Sequence, residues 1–182
     1  MLQVTLLLQA AKQDDPDAPS ILVHDMVTWE SSVGDMSQFL ALALSLFPDQ
    51  AGYCDEEGNY PLHIAASSQP LSRAPYSPRV CDPYRDPIEI LLKAHPSAAS
   101  TVNPKGALPI HLALAEGRRT WRTGVAALVR ANSDSLLIRD PITQLYPYQL
   151  AATSVASDDA ESVDTILQLL LTCPHALQSG SQ

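Results

Sequence analysis

The chain has 182 residues, enough for one domain of ordinary size, and 46% of them are apolar, which is typical of a globular protein rather than a disordered one. Its net charge of −9 argues against a nucleic-acid partner, which usually requires a basic face. Only 5% of the residues are aromatic, while Ala and Leu are abundant, and this favours thin, closely packed helices over a core built from sheets.

The cysteines and the apolar segments indicate an intracellular, cytoplasmic protein. Cys54, Cys81 and Cys173 are odd in number and have no paired spacing, as expected in a reducing compartment. No run approaches the roughly 20 apolar residues of a membrane span, so we expect no membrane partner. The apolar segment 1–11 could be read as a signal peptide, but it is short and no Lys or Arg precedes its apolar run.

The first fifty residues contain three apolar segments separated by polar ones. Segment 2–12 is apolar, and a polar loop with two prolines follows it. Segment 21–29 is expected to form an extra helix, although its periodicity is ambiguous. Segment 35–47 is predicted to be a helix, because Asp35 and Gln38 form a capping-box pattern and apolar residues recur at helical spacing.

Three further helices are predicted in the rest of the chain, after a proline-rich insert at 69–84. The first spans 86–95, where Asp86 caps the helix, Pro87 takes the first helical position and Glu89 completes a capping box. The second spans 120–131, and the third spans 158–172. Both have apolar residues at i, i+4, i+7 and i+8 or similar spacing.

Between these helices, one motif occurs three times, at 55–66, 103–114 and 140–152. Each copy reads as a turn, a proline, an apolar residue, His or Gln, another apolar residue and Ala. The proline fits the first position of a helix, where its missing N–H costs nothing. Gly58 and Gly106 supply the positive φ that a tight turn often needs. The sequence therefore predicts a short helix after each turn.

These three copies resemble the ankyrin repeat, whose hallmark is Gly-x-Thr-Pro-Leu-His-x-Ala-Ala, and in particular the divergent ankyrin-like repeats common in unicellular algae. They depart from the hallmark in two ways. The Thr that normally caps the helix is replaced by Tyr60, Leu108 and Tyr146. In the third copy Gln149 replaces the His, and the turn has one extra residue and no Gly.

The resemblance implies an all-α fold, an ankyrin-type solenoid of stacked antiparallel helix pairs joined by turns or loose hairpins. HEAT and tetratricopeptide solenoids are alternatives, but their plainer turns fit the Gly-containing turns less well. One domain, 1–182, is expected to contain a partial N-terminal repeat with an insert, three repeats and a tail, at 1–50, 51–98, 99–135, 136–174 and 175–182. Because 2–12 matches an inner helix without a preceding turn, the chain is expected to begin partway through a repeat.

His63 and His111 are the strongest candidates for catalysis, but a general base needs a nucleophile or an acid within hydrogen-bond reach. The resemblance instead gives them a structural role between neighbouring turns. Gln149 in the third copy fits this interpretation, since an amide can replace a hydrogen-bonding imidazole but not a proton shuttle. The predicted structural motif comprises Gly58, Pro61, His63, Gly106, Pro109, His111, Pro147 and Gln149.

Other reactive residues are not arranged for chemistry. The cysteines, His95 and His175 lack C-x₂-C or H-x₃-H spacing, so we expect no metal site, no catalytic residue and no cofactor. The cluster Arg118, Arg119 and Arg122 is interpreted as a solvated connection near a helix C-terminus, where cations are favoured. A docking point for an acidic peptide is the alternative.

The predicted function is a non-catalytic protein–protein interaction module, which binds a partner protein through the concave surface of its stacked repeats. The resemblance places contact residues around the turns and at the ends of the inner helices: Glu56, Glu57, Asn59, Ser67, Ser68, Lys105, Ala107, Ala115, Glu116, Thr143, Gln144, Thr153 and Ser154. Three alternatives or additions stay open. The chain could be a fragment of a larger protein whose activity lies elsewhere, an enzyme or ligand-binding protein, or a protein that self-associates through uncapped terminal repeats.

Overall fold

A computed structural model describes residues 23–27, 37–69, 86–153 and 160–174. Within these ranges the protein is all-α: helices of several kinds are joined by turns, and there is no β-strand. The predicted insert 69–84, apart from its first residue, lies outside the described residues, as do segment 2–12 and the tail 175–182.

Seven α-helices are labelled here within the described residues. In chain order they are α1 (Ser37–Leu46), α2 (Pro61–Ser67), α3 (Pro87–Ala94), α4 (Pro109–Leu114), α5 (Ala126–Ala131), α6 (Pro147–Thr153) and α7 (Ala160–Thr172). Short 3₁₀-helices follow α1, α3, α4 and α5, at Pro48–Gly52, Pro96–Ser100, Ala115–Gly117 and Ser133–Leu137. Residues 23–27 are also helical and bury Val23, Met26 and Val27, in agreement with the extra helix predicted at 21–29.

Proline begins four of these helices, α2, α3, α4 and α6, as the sequence predicted. The Asp86 carboxylate caps α3 by accepting a hydrogen bond from the Ile88 N–H at 2.9 Å. Glu89 does not complete the expected capping box. Its carboxylate accepts a hydrogen bond from Arg130 at 2.8 Å, which links α3 to α5.

The helices pack in two rows. One row consists of α1, α3 and α5, in which each helix contacts the next, and the other consists of α2, α4 and α6 in the same way. Contacts between α2 and α3, between α4 and α5, and between α6 and α7 join the rows. The short helices α2 to α6 are therefore each held by a helix of the other row or by α7 and by at least one neighbour in their own row.

The core lies between the two rows and is built from Leu, Ile, Val and Ala. Leu40, Leu62, Ile110 and Leu128 are among its fully buried side chains. Alanines on the facing surfaces of the helices let the backbones approach closely; examples are Ala43, Ala65, Ala66, Ala113 and Ala151. Burial of each large aliphatic side chain contributes about 1.5–3 kcal/mol, which short helices of this kind require because they are unstable alone.

The prediction of one continuous helix over 120–131 is wrong. Trp121–Val125 forms a π-turn, and the backbone leaves helical geometry at Thr123 and at Gly124, where φ is 109°. A Cβ atom at Gly124 would lie 2.5 Å from Ile88 Cδ1, so an added side chain would also have to displace the Ile88 side chain of α3. The regular helix α5 begins only at Ala126.

The apolar side predicted for 158–172 is also only partly buried. In α7, Thr165 and Leu169 are buried, whereas Val163, Leu167 and Leu171 are each more than half exposed. These three residues are spaced by four and form one exposed apolar stripe along the helix. We refer to them below as the α7 stripe.

Arg119 is buried, with 3% of its surface exposed, so its interpretation as part of a solvated connection is wrong. Its guanidinium pairs with the Asp86 carboxylate at 3.2 Å and donates to the carbonyl groups of Ala65, Ser68 and Thr123 at 2.8, 3.1 and 3.0 Å. Arg118 donates to the Ser67 carbonyl at 2.6 Å. The two arginines therefore cap the C-terminus of α2, where unpaired carbonyl groups attract cations.

Replacing Arg119 by Met should destabilise the fold strongly, because it removes the guanidinium that pairs with the Asp86 carboxylate and donates to several carbonyl groups. We expect a loss of about 3 kcal/mol or more in the free energy of unfolding, measured by urea denaturation. Arg122→Met is the matched control, since Arg122 is exposed, and it should change stability by less than about 0.5 kcal/mol. Equal effects of the two substitutions would contradict the role assigned to Arg119.

Candidate interaction surface

The three sequence motifs form the same backbone turn. In each, an N–H at the start of the turn donates to a carbonyl at its end. The distances are 2.9 Å for Asp55 to Asn59, 3.0 Å for Asn103 to Ala107 and 2.9 Å for Asp140 to Leu145. The third turn closes over one additional residue, as its sequence predicted.

The first residue of each turn also fastens the turn with its side chain. Asp55 Oδ1 accepts hydrogen bonds from the N–H groups of Glu57 and Asn59 at 3.0 and 2.7 Å. Asn103 Oδ1 accepts from the N–H groups of Lys105 and Ala107 at 3.1 and 2.9 Å. Asp140 Oδ2 accepts from the N–H and hydroxyl of Thr143, both at 2.7 Å. Asp and Asn commonly stabilise turns by this kind of bond.

A side chain three residues into each following helix satisfies the backbone N–H of the N-cap residue. His63 Nδ1 accepts from the Tyr60 N–H at 3.3 Å, and His111 Nδ1 accepts from the Leu108 N–H at 3.2 Å. In the third copy, Gln149 Oε1 accepts from the Tyr146 N–H at 3.0 Å. The N-cap side chains of Tyr60 and Leu108 make no capping bond, so only one of the two bonds of an ordinary capping box is present, the one from the N-cap N–H to the side chain three residues later.

Each histidine also reaches the segment that leads into the next turn. His63 Nε2 lies 3.1 Å from the carbonyl oxygen of Thr101, and His111 Nε2 lies 3.0 Å from that of Ile138. Both rings are 1% exposed. Burial lowers the pKa of His63 and of His111 below the usual value of 6.5, although the carbonyl groups and the carboxylates of Asp55 and Asp140 oppose this shift.

Neighbouring turns lie against each other. Gly58 has φ 78°, and a Cβ atom there would lie 2.4 Å from Pro104 Cγ in the next turn. Gly106 has φ 77°, and its Cβ would lie at an ordinary 3.6 Å from Pro141 Cβ. In the third turn Gln144 takes the corresponding positive φ, 59°, which costs a non-glycine residue conformational energy.

Five of the predicted contact residues are exposed around the three turns. They are Glu56, Glu57, Lys105, Thr143 and Gln144, and we call them the turn surface. The first turn is acidic, the second carries a cation and the third is neutral. Because neighbouring turns touch, this surface has little freedom to rearrange.

Ala107 does not belong to this surface, and its prediction as a contact residue is wrong. It is buried, and its N–H closes the second turn onto Asn103. Asn59 is half-buried and its side-chain oxygen lies 3.4 Å from Asn103 Nδ2, so it joins neighbouring turns. Thr153 is exposed at the end of α6. Ser154 and the side chain of Glu116 lie outside the described residues.

The ends of the inner helices are more occupied than the sequence suggested. Ser67, Ser68 and Ala115 are partly buried. The hydroxyl groups of Ser67 and Ser68 both donate to the Ile64 carbonyl, at 3.0 and 2.8 Å. Their own carbonyl groups accept from Arg118 and Arg119. At the end of α2, therefore, most polar atoms already have partners within the fold.

Sequence reasoning missed several exposed apolar residues beside the turns. Tyr53, Val102 and Ile138 precede the three turns, and Ile142 lies within the third; their exposed fractions are 53%, 52%, 45% and 73%. The available signal was an apolar residue one or two positions before each turn. Next to Ile142, the Arg139 guanidinium lies 4.5 Å from the centre of the Tyr146 ring, which stacks on Tyr148. Tyrosine and arginine are common at protein interfaces.

The described residues offer little for other functions. None of their His, Cys, Asp and Glu side chains form a group of three or more that could hold a metal ion. A small cleft between α4, α6 and α7 includes Leu114, Arg119 and Thr165 in its lining but neither His63 nor His111. No described helix combines the length and the apolar character needed to cross a bilayer.

Substituting the two turn glycines by alanine should separate the cost of backbone strain from the cost of turn packing. Gly106→Ala should cost about 1–2 kcal/mol of stability because of its positive φ alone. Gly58→Ala has the same φ but also collides with Pro104, so its loss should be larger by about 1 kcal/mol or more. The measurement is urea denaturation of both variants.

The double substitution Gly58→Ala with Pro104→Ala provides the control, since it removes the ring that the added methyl group would strike. It should bring the loss back toward that of Gly106→Ala. If Gly58→Ala and Gly106→Ala were equally destabilising, the first two turns would not be packed as described.

In comparisons with known proteins, no protein-family model, no curated protein and no solved structure matches this chain.

Proposed function

We propose that this chain is a divergent ankyrin-type solenoid and that it acts as a protein–protein interaction module without catalytic activity. The observation that carries the proposal is the threefold repetition of one turn, closed by the same backbone bond and leading into the same short helix. Two parallel rows of helices also support it, because a solenoid packs each unit only against its neighbours. The proposed repeat boundaries are those given by the sequence, 51–98, 99–135 and 136–174.

The turn surface is the proposed binding site. Its side chains project from turns that are fastened internally by Asp55, Asn103 and Asp140 and externally by the histidines. A binding surface that is already fixed loses little conformational entropy when a partner docks. Exposed Tyr53, Val102, Ile138 and Ile142 would add apolar area next to the polar contacts.

The charges on the turns point to a partner with a basic segment opposite the first turn. Glu56 and Glu57 are both exposed there, and the protein as a whole has a net charge of −9. Opposite charges on a partner would speed its association and fix its orientation more than they would raise its affinity. Lys105 in the second turn would favour an acidic or polar group farther along the same partner.

Charge reversal at the first turn tests this surface. Proteins cross-linked to or captured by the intact chain should be compared with those captured by Glu56→Lys with Glu57→Lys. We expect capture of the specific partner to fall by about tenfold or more, because two attractive charges become repulsive. Quantitative mass spectrometry of the captured proteins gives the measurement.

Asp49→Lys with Asp134→Lys is the matched control, because it changes the net charge equally at two exposed aspartates outside the turn surface. It should leave capture of the partner unchanged. The proposed surface would be the wrong face if both double variants retained the partner equally, and a non-specific charge effect would be indicated if both lost it.

We infer a second, weaker activity, self-association through the α7 stripe. In the row that contains α1, α3 and α5, each helix is covered by the next, whereas Val163, Leu167 and Leu171 are 58%, 51% and 66% exposed. Two copies of the chain could bury these stripes against each other. Three side chains supply much less than the roughly 800 Å² per partner of a typical stable interface, so association should be weak.

Sedimentation velocity over a range of concentrations tests this inference. We expect the average mass to rise with concentration, and to rise further in about 0.5 M salt, because screening reduces the repulsion between two copies of an acidic protein. Leu167→Ser with Leu171→Ser should abolish the rise, whereas Ile142→Ser should not, although Ile142 is more exposed than either leucine. A wild-type chain that stays monomeric under all these conditions would contradict the inference.

A further inference from the structure

The protonation state of His63 and His111 follows from their hydrogen bonds. A nitrogen that accepts an N–H must be unprotonated, so Nδ1 of each ring carries no proton. The carbonyl groups of Thr101 and Ile138 need a donor, so Nε2 carries the proton. Both rings are therefore neutral in the folded protein. On each ring the lone pair of Nδ1 holds the start of its own helix, and the proton on Nε2 holds the segment leading into the next turn.

A second proton on either ring would break this arrangement. An imidazolium has N–H groups at both nitrogens, so Nδ1–H would face the backbone N–H of Tyr60 or Leu108, and two donors repel each other. The added charge would also be almost completely buried, with 1% of each residue exposed. The Asp55 carboxylate faces His63 and the Asp140 carboxylate faces His111, and burial outweighs the attraction of each, which places the pKa of both rings below 6.5.

The third turn differs in one respect that matters here. Gln149 makes the same bond to the Tyr146 N–H, through a side chain that does not titrate. At the other end of the row, His24 is buried and lies 3.1 Å from the carbonyl oxygen of Asn59 in the first turn. The N-cap N–H groups after the first and second turns are therefore bonded by titratable rings and the one after the third turn by an amide, although His111 also bonds the Ile138 carbonyl that precedes the third turn.

We propose that mildly acidic conditions favour opening of the first and second turns of this protein, at the bonds made by His63 and His111, and leave the bond made by Gln149 after the third turn unaffected. The inference goes beyond the proposed binding function and does not depend on it. If the turn surface does bind a partner, acid would loosen the part formed by Glu56, Glu57 and Lys105 and spare the part formed by Thr143 and Gln144. Release of a partner in an acidic environment would then follow from the fold itself.

The direction of the effect follows from proton linkage. An opened turn exposes its histidine, which then takes up a proton near pH 6.5, before the closed form can. Closure is therefore strongest above pH 6.5 and weakens as the pH falls below it. For each histidine the opening constant rises by up to about tenfold for each pH unit. Carboxyl groups titrate mainly below pH 5, so measurements between pH 7.5 and 5.5 isolate the histidines.

Native-state hydrogen exchange of the intact chain, followed by NMR and corrected for intrinsic exchange rates, tests the proposal. The amides to compare are those of Tyr60, Leu108 and Tyr146, since each is bonded by the side chain in question. Between pH 7.5 and 5.5 the opening constants of Tyr60 and Leu108 should rise by up to about tenfold, and clearly more than that of Tyr146, which should change by less than twofold. An equal rise at all three amides, or no rise at Tyr60 and Leu108, would overturn the proposal.

Two substitutions should change which turns are sensitive to pH. His111→Gln should remove it from the Leu108 amide and leave it at Tyr60. Gln149→His should create it at the Tyr146 amide, although less strongly, because position 149 is only half-buried. If His111→Gln fails to fold, the pH dependence of exchange in the wild-type chain and in Gln149→His still tests the proposal. A Tyr146 amide that stays insensitive in Gln149→His would overturn the proposal.

Discussion

The whole arrangement depends on a hydrogen bond to the backbone N–H at the N-cap of each short helix. α2, α4 and α6 contain six or seven residues each, too few to be stable in isolation. The hydroxyl that would normally accept from an N–H in the first turn of the helix is missing, and only the other half of the capping box is present, in which the imidazole or amide three residues later accepts from the N-cap N–H. In α2 and α4 the same ring then bonds the next unit. Local helix initiation and long-range stacking are thus one interaction.

Because one ring makes both bonds, neighbouring turns are linked to each other and form a row. Side-chain acceptors at Asp55, Asn103 and Asp140 fix the shape of each turn, and contact between Gly58 and Pro104 leaves no room for slippage between the first two. The same contacts therefore hold the exposed residues at the tips of the turns in place. Their side chains differ from turn to turn, while the backbone beneath them repeats. A repeating scaffold with variable tips is suited to binding, where the identity of the tips selects the partner.

The sequence predicted those parts of the fold that local chemistry dictates. Pro61, Pro109 and Pro147 begin helices because the ring has no N–H to lose, and Gly58 and Gly106 adopt the positive φ of their turns. Long-range partners were not predictable in the same way. Arg119 looked solvated because nothing in its neighbourhood along the chain reveals the carbonyl groups around it. Ala107 was assigned to the surface because the resemblance places contact residues around the turns, but it is buried. The helical spacing of apolar residues predicted a continuous helix around Gly124, but the glycine itself indicated that the helix could be interrupted there.

The hydrogen bonds of Arg118 and Arg119 also matter for the proline-rich segment between α2 and α3. The two arginines bond Ser67 and Ser68 before that segment and Asp86 after it. The two ends of the segment are therefore held together by contacts outside it. The entropy of closing a loop grows only slowly with its length when the ends are already fixed. Evolution could therefore lengthen, shorten or replace this connection, and an engineer could cut it or place new termini there, while the helices on both sides remain together.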